Sequence, residues 1–540
     1  MTMKTAPVSH FRTARGRELA VEWDTAANSQ RAWRWNQDHY PDPLTPLFAW
    51  IHADRQSQDA PYADAGVEPP APFRGRQLPA GFQYVRLTPL DAEESPSFIT
   101  RARELGARCG GAPRVWDTFA QPRAEAAVRA LQAVAPETPV AELSRLYHDA
   151  FHNTHIGGMV ALGPVLGPLQ GTLEALFEAD DAALLVQELG QGSDSATMES
   201  NRAIARLAEM ARAAPGIARI VTEGGNDALQ SLLRETAAAA FMAAFDAFIA
   251  DYGWRSGGWD ITNPTLRERP ADALNLVRQA MAARNGDFAS RTEVVRRRDA
   301  ALQRVEARLA GDPASMAAFR ALAGQLENYV AVREGRALWQ LLVTGSLRIA
   351  LLNKGDALRS AGTIDVPEDI FFLLPAEIDP LFAYAERGDL RSLVAERRKE
   401  WASWLGDKPP AVISAAPGLI PGPAAQPGEA VIHGLPGSRG KITAKARVLL
   451  DFADCDELEP GEVLVCIMTS PPWTPLFAVA SAIVTDSGAA FSHPAIAARE
   501  FGIPAVVGAT EATARIQTGD TITVDGDAGV VRIEVRHPGG

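Results

Sequence analysis

The spacing of apolar positions divides the chain into three regimes. In residues 1–120 the periodicity is mixed, with short strand-like runs such as 82–87 lying between turns. From 121 to 407 apolar residues recur at three- and four-residue intervals, the period of a helix with one buried face. Helices are expected over 123–135, 140–155, 168–177, 203–213, 227–250, 271–283 and 290–310, and one long helix or two over 316–352. Beyond 430 the pattern changes to short apolar runs at 444–450, 463–468, 480–484, 505–507, 521–524 and 530–533, which predict strands. Asp525-Gly526 and Ala528-Gly529 mark a tight turn between the last two. Between these regimes, 408–430 holds Pro409, Pro410, Pro417, Pro421, Pro423 and Pro427 and reads as a semi-stiff hinge linker. The expected fold class is multidomain α+β: a largely helical domain over 1–407 (mixed in 1–120, helical in 121–407), the linker 408–430, and a C-terminal α/β domain over 431–540.

Length and composition narrow the function without naming it. A chain of 540 residues is long enough for two or three domains with substantial cores. Its net charge of −13 and the absence of a basic tract argue against nucleic acid as the main partner. Three cysteines, Cys109, Cys455 and Cys466, have no metal-ligand spacing and suggest no disulfide framework. No metal site is expected. The first residues lack the charged-then-apolar pattern of a secretory signal. The longest apolar stretch, 157–177, is punctuated by Gly and Pro and is expected to be a loop entering a helix, not a membrane span. A cytoplasmic protein is the expectation.

The most specific chemistry lies in residues 484–508. Val484-Thr485 ends an apolar strand, and Gly488 sits in a small-residue turn where backbone can approach closely. Ser492 is a candidate helix N-cap and Pro494 suits a first helical turn, with a short helix over 495–501 ending at Gly502. His493 then stands at the positive end of a helix beside free backbone N–H groups, a ready site for an anion. Val484-Thr485, Gly488, Ser492-His493, Ala498-Arg499-Glu500 and Gly502–Gly508 together resemble the phosphohistidine swivelling domain of the phosphoenolpyruvate-utilising enzymes. Two departures are visible: Ala489 stands where the family has a second glycine, and Pro494 where Ala is usual.

That resemblance implies a specific chemistry. His493 would be the phosphorylated nucleophile; an imidazole nitrogen attacks phosphorus near neutral pH and gives an intermediate of high transfer potential. Turn amides at Gly488, hydroxyls of Thr485 and Ser492, and the Arg499 guanidinium would hold the phosphate oxygens. Relatives of this kind join an ATP-grasp domain, an acceptor domain and the swivelling domain. No Gly-rich nucleotide loop with its Lys and metal-binding carboxylates is read in these residues, and no phosphoenolpyruvate-binding barrel is expected. Its order resembles rifampicin phosphotransferases without their ATP domain, and the phosphohistidine subunit of phenylphosphate synthases. The resemblance thus implies a separate ATP-grasp kinase subunit as partner, ATP and Mg²⁺ as cofactors at that partner, and release of AMP and inorganic phosphate.

The acceptor end is read from weaker signals. His148, His152 and His155, three of the nine histidines, lie at i, i+4 and i+7 and share one face of an expected helix. They form a substrate pocket in which His152 or His155 acts as base or orients the acceptor hydroxyl, a two-His metal site, or a face of satisfied core histidines. Tyr252-Gly253-Trp254-Arg255 resembles a family segment and makes Trp254 and Arg255 candidate substrate-binding residues. Arg333 and Arg336 are candidates for receiving the phosphoryl group. The Trp-rich first 50 residues suggest an aromatic acceptor, unless those rings are core. The expected function is a phosphotransferase subunit that moves phosphate from His493 to the hydroxyl of a small, aromatic molecule. The alternatives are an antibiotic phosphotransferase component and a phosphocarrier module acting on a protein.

Overall fold

The structure, a computed structural model, describes residues 8–37, 39–69, 76–86, 94–161, 165–192, 196–282, 291–383, 388–416, 431–450 and 452–537. The chain forms two compact units. One comprises residues 1–161, 258–263 and 339–426; the other comprises 162–257, 264–338 and 427–540.

In the first unit, a hairpin of Val8–Arg12 and Glu18–Glu22 accompanies a four-stranded antiparallel sheet. The sheet runs Arg76–Gln77, Tyr84–Arg86, Trp33–Trp35, Val412–Ile413. Trp23, Trp33, Trp35, Phe82, Tyr84 and Trp404 make one buried cluster around these strands. The tryptophans concentrated near the start of the chain therefore serve mainly as core, and they do not argue for an aromatic acceptor. The fourth strand also corrects the linker expectation. Val412 and Ile413 pair with Arg34 and Trp33, and the Ala415 amide donates to the Ser29 carbonyl, so the first part of 408–430 is packed. The rest of that segment, 417–430, lies outside the described residues, as does Asp38.

The histidine-bearing helix is longer than its pattern implies. It spans Val140–Ala161 and passes straight through Gly157-Gly158, where a turn was expected. The reason is packing: a Cβ on Gly157 would lie 2.3 Å from the Ala120 Cβ and 3.0 Å from the Trp116 ring. The glycine lets the helix approach its neighbour. An apolar window within 140–174 is long and apolar enough by length and composition to cross a membrane, but about half of that window is buried inside the fold.

The second unit joins helices to an eight-stranded sheet. Lys441–Val448, Val463–Cys466, Ala482–Thr485 and Ala505–Val507 run parallel to one another at its centre. Antiparallel strands flank them: Leu435–Ser438 beside Ala505–Val507, and Thr521–Asp525, Val530–Val535 and Val431–His433 on the other side. Val463–Cys466, Ala482–Thr485 and Ala505–Val507 are buried on both faces, which is why they read as unbroken apolar runs. Val463, Val465, Ala482 and Val484 face one core. Leu464, Cys466 and Ile483 face another, shared with Leu207, Phe241, Phe245 and Leu274 of the helical segment. This shared core is the physical reason the unit boundary does not follow 1–407 and 431–540: one apolar mass holds the helices within 203–248 and 266–277 to the C-terminal sheet. The α+β class read from the pattern holds. Residues 316–352 belong to one helix, Pro313–Ser360, whose 48 residues span roughly 72 Å at 1.5 Å per residue. Its first part belongs to this second unit.

Candidate functional site

The turn after the strand Ala482–Thr485 is shaped by steric necessity. Gly488 has φ +133°, and a Cβ there would meet the Ser492 Oγ at 2.9 Å and the Val507 Cβ at 3.1 Å. Gly508, at φ +63°, is pressed against the Gly488 carbonyl. Asp486 accepts from the Thr513 amide at 2.8 Å and from its hydroxyl, which fixes the far side of the turn. The helix His493–Phe501 follows, with Ser492 at the N-cap, Pro494 in the first turn and Gly502 left-handed at the C-cap.

His493 thus opens a helix, and it is 9% exposed. Its Nδ1 lies 2.9 Å from Oε2 of Glu334, a carboxylate on the helix Pro313–Ser360 that is itself buried. Its Nε2 lies 3.1 Å from the Thr474 Oγ1, and Thr474 also donates to the Pro471 carbonyl at 2.7 Å. A threonine hydroxyl has one proton, so two states follow. If that proton goes to Pro471, Nε2–H donates to Thr474 and Nδ1–H to Glu334, and the ring is a doubly protonated cation. If Thr474 turns its proton to Nε2, the ring is neutral, with its lone pair on Nε2 and Nδ1–H held by Glu334. The second state needs only the loss of Thr474 to expose a nucleophilic nitrogen. In both, Glu334 fixes the orientation of the ring, the role a carboxylate plays behind a catalytic histidine.

The remaining expected phosphate ligands are placed unequally. The Ser492 Oγ is buried beside His493 with no hydrogen-bond partner among the described residues, and it does not cap the helix. Thr485 is fully buried and its hydroxyl donates to the Ser487 carbonyl at 2.7 Å, so it shapes the turn and has no proton left for a phosphate. Arg499 lies six residues on, near the other end of the helix. It is 4% exposed, its guanidinium is 5.4 Å from the Phe491 ring, and burial pushes its pKa down to about 9. Arg333 and Arg336 flank Glu334, and Arg333 donates to the Tyr329 hydroxyl at 3.4 Å. Tyr329 in turn meets the Phe491 ring at 5.9 Å. Trp254 carries the Arg267 guanidinium over its ring at 4.5 Å.

His148, His152 and His155 belong to the first unit. His148 and His152 are fully buried, stacked at 5.3 Å and 12°, and enclosed by Tyr62, Tyr147 and Phe151. His148 Nε2 contacts the Ile51 carbonyl at 2.8 Å, and His152 Nδ1 contacts the Tyr62 hydroxyl at 3.2 Å. This is the arrangement of a packed histidine face, not of a pocket base. His155 is half-buried and meets the Gln340 amide at 3.1 Å. Among the described residues no cluster of three metal-ligating side chains is present.

Sequence reasoning missed Glu334 and Thr474, the two groups that hold His493. Nothing local marks a single Glu on a long helix; its one signal was its place between Arg333 and Arg336. Thr474 lies in a Pro-rich run that reads as a loop.

Residues 458–529 match the mobile domain of the PEP-utilising enzymes, and residues 151–334 match the fourth domain of rifampicin phosphotransferase. Both matched segments are thus similar to parts of PEP-utilising phosphotransferases, in line with the motif around His493. The His493–Glu334 pair joins the two matched segments, Glu334 being the last residue of the second. Among curated proteins, the chain is 29% identical to chondramide synthase of Chondromyces crocatus over 96% of its own length, but over only 14% of that protein. It is 32% identical to a rifampicin phosphotransferase of a Streptomyces species, over 63% of this chain and 40% of the relative. It is 46% identical to the prodigiosin synthesizing transferase of Serratia marcescens, over 24% of this chain and 14% of the relative. The chain therefore spans less than half the length of these relatives.

Proposed function

We propose that this chain is the acceptor and carrier part of a phosphotransferase, in which His493 receives a phosphoryl group and passes it to the hydroxyl of a small molecule. The observation that carries the reading is His493 itself: a helix-opening imidazole in a matched mobile domain, with Nδ1 held by a buried carboxylate and Nε2 directed at a single hydroxyl. Nε2 attacks phosphorus as the bond to the donor's leaving oxygen breaks, and Glu334 stabilises the positive charge that develops on the ring. In the second step the acceptor oxygen bonds to phosphorus as the N–P bond breaks and returns its electron pair to Nε2, and the acceptor's proton passes to solvent. The Ser492 hydroxyl and the first amides of the helix are the donors nearest the incoming oxygens. A separate ATP-grasp subunit supplies the phosphoryl group from ATP with Mg²⁺.

The test is incorporation of label from β- and γ-labelled ATP into the purified chain, with and without an ATP-grasp partner. Acid-labile, base-stable label at His493 only with the partner is expected, and His493→Ala should abolish it. Labelling from ATP by the chain alone would refute the partner, and label elsewhere than His493 would refute the carrier. A rifamycin-type acceptor is the second reading for the same site. The fourth-domain match over 151–334 and the relatives named rifampicin phosphotransferase favour it over a phenol. A screen of rifamycins against phenols and benzylic alcohols decides between them.

A further inference from the structure

The second unit buries a cation that the phosphoryl chemistry does not use. Arg255 is 6% exposed, and its guanidinium makes no hydrogen bond or ion pair with any side chain or carbonyl among the described residues. Its one contact of note is the Tyr252 ring, 4.5 Å away. Burial pushes its pKa down only to about 10, so it stays charged at neutral pH. A buried charge without a counter-ion is costly, and a bound anion would relieve that cost.

Arg255 lines a narrow cavity of about 10 Å³. Three other polar residues line it, Ser200, Asn201 and Tyr252; the rest of the wall is apolar, including Phe248 and Leu266. Pro471, Pro472 and Pro475 close one side, and prolines offer no N–H to an anion. A planar, singly charged group matches one guanidinium in such a slot, whereas a phosphate dianion needs more donors than the wall provides. We propose that Arg255, with Ser200 and Asn201, forms a subsite for the carboxylate of a small molecule whose apolar body lies along Phe248 and Leu266. The cavity as it stands holds a single water-sized group. Occupation therefore displaces the Pro471–Ala478 segment, which carries Thr474 and so the contact on His493 Nε2.

Benzoate and inorganic phosphate serve as probes in calorimetric and thermal-melt titrations of the full chain without ATP, so the result is independent of whether His493 is ever phosphorylated. Benzoate is expected to bind and raise Tm, and Arg255→Met to weaken it at least tenfold, with Arg255→Lys retaining part of the affinity. Without ligand, Arg255→Met should melt no lower than the parent, because a buried cation with no ion-pair partner among the described residues has been removed. The proposal is overturned if benzoate does not bind, if Arg255→Met binds it as tightly as the parent, or if only phosphate binds.

Discussion

Replacing Glu334 by Gln probes the site with little change of shape. The amide keeps an oxygen near Nδ1 of His493 but removes the negative charge, within a pair whose side chains are 8% and 3% exposed. Hydrogen bonds to charged groups contribute about 1.5–3 kcal/mol, and at this burial the upper half of that range applies. In a step where positive charge develops on the ring, that corresponds to roughly 45- to 150-fold slower phosphorylation at about 1.36 kcal/mol per tenfold. The assay is the rate of base-stable, acid-labile label entering the chain, measured with the ATP-grasp partner and, separately, with phosphoramidate as a partner-free donor. Both rates should fall together, because the charge acts on the imidazole and not on the partner. A loss with the partner alone would make Glu334 a docking residue. A rate within twofold of the parent in both assays would refute the account of the carboxylate as the ring's orienting group.

Other outcomes follow from the packing and charge. Asp260 is half-buried, and desolvation first, then the charge of Asp42, push its pKa up to about 6 against the pull of Thr262 and Arg348. The unfolded carboxyl ionises near pH 4, so stability falls as pH rises from about 4 to 6 and stays lower above it. Asp260→Asn should therefore raise Tm at pH 7.5, by up to about 3 kcal/mol of stability, and leave pH 4 unchanged; an equal gain at both would contradict the assignment. Gly488→Ala forces a Cβ at φ +133° against Ser492 and should abolish labelling of His493 while far-ultraviolet dichroism stays near the parent's. Gly157→Ala overlaps Ala120 and should lower stability by about 1–3 kcal/mol, read in urea melts. His152→Ala removes the Tyr62 contact from the core and should lower Tm without changing acceptor turnover per folded molecule; loss of turnover at unchanged Tm would restore its role as base.

Val463–Cys466, Ala482–Thr485 and Ala505–Val507 were legible because burial on both faces leaves an apolar run with turns at each end, and Ala505–Val507 falls where its pattern puts it. The helix after His493 was legible from Ser492, Pro494 and Gly502, whose backbone preferences act locally. Helix ends were less so. The break of 227–250 into Ala228–Arg234 and Ala239–Tyr252 leaves no periodic signal in an Ala-rich stretch. The histidine face left its alternatives open for a related reason: a shared helix face shows that three rings point one way, not whether that way is solvent or core.

What the sequence determined by itself was the reactive group and its local frame: a histidine opening a helix after a glycine turn, since those preferences depend only on near neighbours. Only the tertiary structure decided what holds that histidine. Glu334 and Thr474 lie 159 and 19 residues away along the chain, and they meet His493 because one apolar core packs the helical segment against the C-terminal sheet. Contacts of that separation depend on how faces pack, and no local pattern encodes them.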